Sequence, residues 1–225
     1  MNSAAMDLTK PVLILGGGLI GLAIAHQLAR SGRAVLVLSR NRNEAAGFVA
    51  AGMLAPHAEG LSGDQLLLGQ ASLAAYPAWV AQVEADSGLN CNLKPCGIVV
   101  PFESAAERDA YPTAALGTPL DRHGLEAEVA GIGAQWRAGL LFKQDGQIDN
   151  RRRLMRALER ACTNLGVQFQ EGAEVQPFAA LLPGSWRRCV AAPQKGSSCA
   201  CPVLRQCLPV APGARNYCLA YPFFQ

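Results

Sequence analysis

Charge is scarce in this chain. Asp, Glu, Lys and Arg make up 16% of its 225 residues, and aromatic residues only 6%. An ordinary globular chain carries about 25% charged residues. The net charge is +3, too small for a dedicated nucleic-acid binder, which concentrates basic charge on one face. A membrane span is missing as well. The apolar run from Val12 is broken by three glycines at Gly16, Gly17 and Gly18, far short of the roughly 20 residues a bilayer needs. The opening MNSAAMDLTK has no basic n-region and no small-residue cleavage site. The expectation is a cytoplasmic chain with neither nucleic acid nor membrane among its partners. What is plentiful is apolar residues, at 50%, enough for a sizeable core.

Acid is missing from one end altogether. All 17 Asp and Glu residues precede residue 176, whereas Arg187, Arg188, Lys195, Arg205 and Arg215 follow it. Five of the eight cysteines (Cys189, Cys199, Cys201, Cys207 and Cys218) crowd into the same last stretch. Such density suits a disulfide scaffold in a small secreted domain, but nothing else here is secretory. Cys91 and Cys96 lack metal-ligand spacing and read as buried structural thiols. Residues 176–225 show no sustained periodicity, and no element is expected after Val175. We expect an irregular or disordered tail arising from a shifted reading frame or a misplaced gene boundary.

The first 175 residues are patterned. Val12 to Leu15 is a short apolar run that suits a buried parallel strand. Leu19 to Ser31 turns helical, with Ile20, Ile24 and Leu28 on one face, Gly21 and Ala25 as a small-residue stripe, and Gly32 as the stop. Val35 to Leu38 is a second strand. Residues 41–63 read as loop with one helical turn. A long helix follows from Gln65 to Ser87, apolar at Leu66, Leu73, Trp79, Val80 and Val83, kinked at Pro77 and ended by Gly88. Ile98 to Phe102 and Leu140 to Phe142 read as strands, with a short polar helix from Glu103 to Ala110 between them. Asp145-Gly146 is a turn. Asp149-Asn150 caps a helix carrying Leu154, Leu158 and Leu165, and Val167 to Phe169 is a strand. Arg151, Arg152 and Arg153 are the solvated start of that helix. His26 and His123 have no motif partner, and His57 and Glu59 read as solvated loop residues.

Gly16, Gly18 and Gly21 form G-x-G-x-x-G between the first strand and the first helix. The first glycine permits the turn, the second admits a pyrophosphate to the backbone, and the third lets helix and strand pack closely. The amides of Leu19 and Ile20 then open the helix toward an anion. A dinucleotide site of this kind ordinarily has a carboxylate ending the second strand. Here that position is Ser39, which offers one neutral hydrogen bond of about 0.5–1.5 kcal/mol in place of a charge-assisted one of about 1.5–3 kcal/mol. Arg40 beside it suits a 2′-phosphate, so these residues alone leave both FAD and NADP open.

The segment AAGMLAPHAEG, from Ala50 to Gly60, is more specific. It resembles the second FAD-contacting segment of the D-amino-acid-oxidase superfamily, and its form is most similar to glycine oxidases of thiamine biosynthesis. Cys96 to Val100 and DGQIDNRRRLMRAL, from Asp145 to Leu158, fit the same family, and the resemblance runs over residues 11–175. It implies an α/β fold: a Rossmann-like FAD-binding domain over residues 1–88, part of an α+β substrate domain over 89–142, and a return to the FAD-binding domain over 143–175. It implies noncovalent FAD held by Gly16, Gly18, Leu19, Ile20 and Gly21, with Ser39 and Arg40 near the adenosine. Ala50, Ala51, Gly52 and Met53 would line the flavin, Met53 on the substrate side. The implied reaction oxidises glycine or a related small amino acid to the imine, with dioxygen as co-substrate and hydrogen peroxide as product, for thiamine thiazole synthesis, in a possible homo-oligomer. A sarcosine oxidase or D-amino-acid dehydrogenase type is the alternative enzyme. A truncated chain that binds nucleotide weakly is the alternative without activity, because the family's carboxylate-clamping arginine and tyrosine find no match here and no catalytic residue is assigned.

Overall fold

The computed structural model describes residues 11–148, 152–173 and 218–219. The chain starts with strand β1 (Val12–Leu15), turns through the glycines, and enters helix α1 (Leu19–Arg30) and strand β2 (Val35–Ser39). These three elements fall where the apolar runs and the glycines put them. Strand β8 (Gln168–Glu171) joins them after a long excursion, giving a parallel sheet in the order β1-β2-β8. The register pairs Val12 with Val35, and Ser39 with Glu171. Helix α5 (Arg153–Asn164) feeds β8 and buries Leu154, Met155, Ala157, Leu158, Ala161 and Cys162. Leu165 caps that helix rather than sharing its face.

The excursion between β2 and α5 builds a second sheet, while its long helix packs back on α5. Two single-turn 3₁₀ segments (Arg42–Glu44 and Ala46–Phe48) lead to the two-residue strand β3 (Met53–Leu54), and α2 (Gly63–Ser87) ends at the left-handed Gly88. Then come β4 (Ile98–Phe102), α3 (Ala105–Asp109), β5 (Thr118–Leu120), α4 (Arg122–Glu128), β6 (Ala138–Phe142) and β7 (Gly146–Gln147). β5, β6 and β4 form an antiparallel sheet, and β3 pairs with β7. This mixed α/β architecture is the expected fold class.

Three expectations need correction. α1 does not pack through Ile20 and Ile24, which are 77% and 49% exposed; its buried face is Leu22, Ala25 and His26. The close approach at Gly21 sets the helix rotation, because a Cβ there would lie 2.0 Å from the Gly16 carbonyl oxygen. His26 is fully buried, and its Nε2 lies 2.8 Å from Asp86 on α2, so it joins two helices. After Val175, Cys218–Leu219 forms a short strand (β9) that runs parallel to β4 at Ile98–Val99. The rest of the expected irregular tail, and the capping pair Asp149 and Asn150, lie outside the described residues. Among the described residues no helix is long and apolar enough to cross a membrane.

Candidate functional site

The glycine loop sits at the carboxyl end of the parallel sheet, the edge where open α/β sheets take their ligands. Gly16 adopts φ +106°, a left-handed conformation that glycine reaches without a Cβ penalty, and its amide donates to Leu38 O at 2.8 Å. Gly18 is the N-cap of α1 and has no side-chain cap, and the first turn holds no acidic residue. The opening amides of α1 are therefore unclaimed by a side chain, with the positive end of the helix dipole behind them. The space in front is clear. A Cβ on Gly18 would meet nothing nearer than Ala45 Cβ at 4.0 Å. This cradle fits a pyrophosphate.

Ser39 and Arg42 border the cradle, and Arg40 follows Ser39 in sequence. Ser39 is buried at the end of β2, and its carbonyl accepts from Ala173 N at 3.2 Å. Arg40 is exposed and gives its guanidinium to Glu44 at 2.8 Å, which helps hold the Glu44 carboxyl below its ordinary value. Arg42 is the arginine that reaches the loop. A Cβ on Gly17 would lie 2.7 Å from Arg42 Cγ and 3.3 Å from Ser39 Cβ. The Arg42 guanidinium lies 4.5 Å from the Phe169 ring centroid, and its Nε donates to Glu171. Sequence reasoning named Arg40 and missed both Arg42 and Glu171.

Ala50, Ala51, Gly52 and Met53 lie at the seam between the two layers. Ala50 is exposed and the other three are half-buried. Gly52 takes φ +82°, its oxygen accepts from Ile148 N at 2.7 Å, and a Cβ would lie 2.1 Å from Ile148 O. Any side chain there breaks the seam. Met53 pairs in register with Gln147 and lines an open cleft of about 190 Å³ with Leu54, Glu59, Leu73 and Tyr76. Burial pushes the Glu59 carboxyl and the Tyr76 hydroxyl up.

The next residues are not solvated. His57 is buried, and its Nδ1 lies 2.6 Å from Asp145 Oδ1, while Ala58 N donates to Asp145 Oδ2 at 2.8 Å. Gln70 Nε2 is 3.0 Å from His57 Nε2, Thr113 Oγ1 donates to His57 O at 2.6 Å, and Tyr111 donates to Ala58 O at 2.8 Å. Asp145 is fully buried, and burial raises its carboxyl despite the bonds from His57 and Ala58 N. Asp145, read as a turn residue, is thus the anchor that fixes the segment after Met53. Glu59 matches the solvated reading in part: the residue as a whole is exposed, but its carboxyl sits on the cleft wall, where partial burial raises it.

Cys91 and Cys162 are buried thiols pushed up to about 11 and about 12 by burial; neither is a reactive thiolate at neutral pH.

The chain is similar to known proteins over most of its described length. The bifunctional protein ThiO/ThiG of Synechocystis sp. is 42% identical over 177 residues, covering 77% of this chain and 26% of that protein. The corresponding protein of Trichormus variabilis is 35% identical over 175 residues, 75% of this chain and 27% of its own length. Among solved structures, glycine oxidase from Geobacillus kaustophilus superposes with a TM-score of 0.64 at 25% identity, over 72% of this chain and 46% of that one. The chain thus spans about a quarter of the curated relatives. The family model for FAD dependent oxidoreductases matches residues 11–197, past residue 175 where the motif resemblance ends. With four-fifths of its length in that match, the chain belongs to the DAO family of FAD dependent oxidoreductases.

Proposed function

We propose that this chain contributes the FAD-binding part of an enzyme that oxidises glycine or a related small amino acid to the imine, with dioxygen reduced to hydrogen peroxide, in the supply of thiamine thiazole. The single observation that carries the reading is the uncapped start of α1 behind the Gly16–Gly18 turn, with clear space in front of it. The bifunctional ThiO/ThiG relatives and the solved glycine oxidase support this reading.

Gly16, Gly18 and the amides of Leu19, Ile20 and Gly21 would hold the pyrophosphate, with Ser39 and Arg40 bordering the adenosine. Ala50, Ala51, Gly52 and Met53 would lie along the flavin. Bound FAD supplies the hydride acceptor that no side chain can provide. Everything else in the step is positioning by the chain itself. The Gly52–Ile148 bond and the Asp145 anchor fix the small-residue segment so that its backbone can approach a flat ring. Met53 gives that segment an apolar, adaptable side chain toward the cleft.

The lining of the Met53 cleft includes Glu59 and Tyr76 but no arginine, so the described residues offer no cation there to orient a substrate carboxylate. We therefore propose that the chain alone releases no peroxide from glycine, and that its FAD binding is noncovalent and weakened because Ser39 ends β2 without a carboxylate. The division of labour we propose is flavin binding over residues 1–88 and 143–175 and substrate-side packing over 89–142. A flavin titration followed by absorbance, with a peroxide assay on glycine, sarcosine and D-alanine, tests this. Saturable binding without peroxide is the expected result. Absence of any FAD binding refutes the reading, and peroxide from sarcosine in preference to glycine moves it to the sarcosine oxidase type.

A further inference from the structure

We propose that Glu171, on the strand beside β2, supplies the ribose-reading carboxylate that Ser39 lacks, and so selects an adenosine without a 2′-phosphate. The inference rests on the nucleotide-site reading above and adds a residue and a specificity to it. Ser39 ends β2 without a charge, but its register partner on β8 is Glu171. Neighbouring strands lie about 4.8 Å apart, and a glutamate side chain spans most of that distance. The carboxylate is thus on the same rung as Ser39, displaced by one strand.

The surroundings hold Glu171 at the site. Arg42 donates to its Oε1, and the Arg42 guanidinium is fixed in turn against the Phe169 ring. The stem of Arg42 lies against Gly17, where a Cβ would sit 2.7 Å from Cγ, so the arginine that holds Glu171 touches the phosphate loop itself. Oε2 of Glu171 takes no hydrogen bond from the described residues and the side chain is 44% exposed, leaving an acceptor for a ribose hydroxyl. Arg42 is paired with Glu171, lies 3.9 Å from Glu159, and is not a free cation. Arg40 is paired with Glu44. A 2′-phosphate at the end of β2 therefore meets a carboxylate and finds both nearby arginines engaged. A ribose with free hydroxyls meets an acceptor that strengthens its hydrogen bonds.

The experiment compares ADP with 2′,5′-ADP by isothermal titration on the full chain and on E171Q, E171D and E44Q. The wild type is expected to bind ADP at least ~10-fold more tightly than 2′,5′-ADP. E171Q should lose about 10-fold in ADP affinity, the effect of one charge-assisted bond, and gain affinity for 2′,5′-ADP, so that the preference collapses or reverses. E171D, which keeps the charge, should retain the discrimination against 2′,5′-ADP, and E44Q, which releases Arg40 from its pair, should raise affinity for 2′,5′-ADP without lowering that for ADP. Thermal melts check that each variant is folded, and E171D carries the test if E171Q is not. A purely structural role for Glu171 lowers both affinities together, and that result overturns the inference. So does a wild type that binds the two nucleotides alike, while leaving the FAD reading intact. A wild type that binds neither ADP nor FAD removes the FAD reading and the inference with it.

Discussion

The two sheets of this protein are covered very differently. Every residue of β4 and β6 is buried, and Ile98, Val100, Phe102, Leu140 and Phe142 meet in one cluster. In β1 only Ile14 is buried, and Leu13 and Leu15 are 53% and 50% exposed. Among the described residues β1 has β2 as its one strand neighbour. Parallel sheets are ordinarily covered on both faces, so β1 is the less protected strand, and the phosphate loop hangs from it. Among the described residues, β4 and β6 are thus more deeply covered than the strand that carries the glycine loop.

Phe142→Ala breaks the more deeply covered sheet and is the largest expected effect. The ring is fully buried and stacks near His57, and its removal should cost about 3–5 kcal/mol in a denaturant titration. Leu15→Ala, half-exposed on β1, should cost under about 1 kcal/mol. Equal costs would show that β1 is covered after all and would end the comparison.

Gly21→Ala sharpens the comparison from the open side. Its Cβ would lie 2.0 Å from a backbone oxygen, which cannot move aside as a side chain could. A loss of about 1–3 kcal/mol is expected, along with loss of FAD binding in the flavin titration.

Asp145→Asn probes the seam between the layers. His57 and Ala58 N meet different oxygens of Asp145, and in Asn one of those two positions becomes an NH₂ group that no longer accepts. About 1–3 kcal/mol is expected, read as a lowered Tm. Because burial raises the Asp145 carboxyl, its ionisation weighs against the fold, so the wild-type contribution of this group declines as pH rises from the unfolded carboxyl value through the raised folded one.

The smallest effect concerns Asp86, which ties α2 to α1. Burial pushes its carboxyl up, but the bonds from Arg30 and His26 outweigh this and hold it below the ordinary range. Its folded value lies under its unfolded one, so the stability it confers is present above about pH 4 and is lost as pH falls through the depressed value. Asp86→Asn should flatten that acid limb of a Tm-against-pH curve while changing Tm little below it.

Local pattern made much of the flavin-side fold legible. Strand, glycines, helix and strand follow from Val12 to Ser39, and the α2 stop at Gly88 and the β4 run follow from the same rules. The α1 face did not, because periodicity locates an apolar stripe without saying which stripe a glycine contact will turn inward. β3, β5, β7 and α4 span two, three, two and seven residues, too short for a periodic signal. The site was half legible. Gly16 to Gly21 and Ala50 to Met53 carry their chemistry in adjacent residues. Glu171 reaches Ser39 only through strand register, and His57 reaches Asp145 across 88 residues. Neither meeting has a counterpart in local sequence. A clue to His57 lay in its place within the small-residue segment, where a side chain flanked by Pro56 and Ala58 has little reason to face water.

The most direct test of the central claim is equilibrium dialysis of the purified chain against FAD and, separately, riboflavin. If the grip lies in the Gly16–Gly21 loop and the strand ends beside it, FAD is retained and riboflavin, which lacks the pyrophosphate and adenosine, is not. Retention of riboflavin as tight as that of FAD would contradict the account, because it would place the grip on the flavin ring and away from the glycine loop.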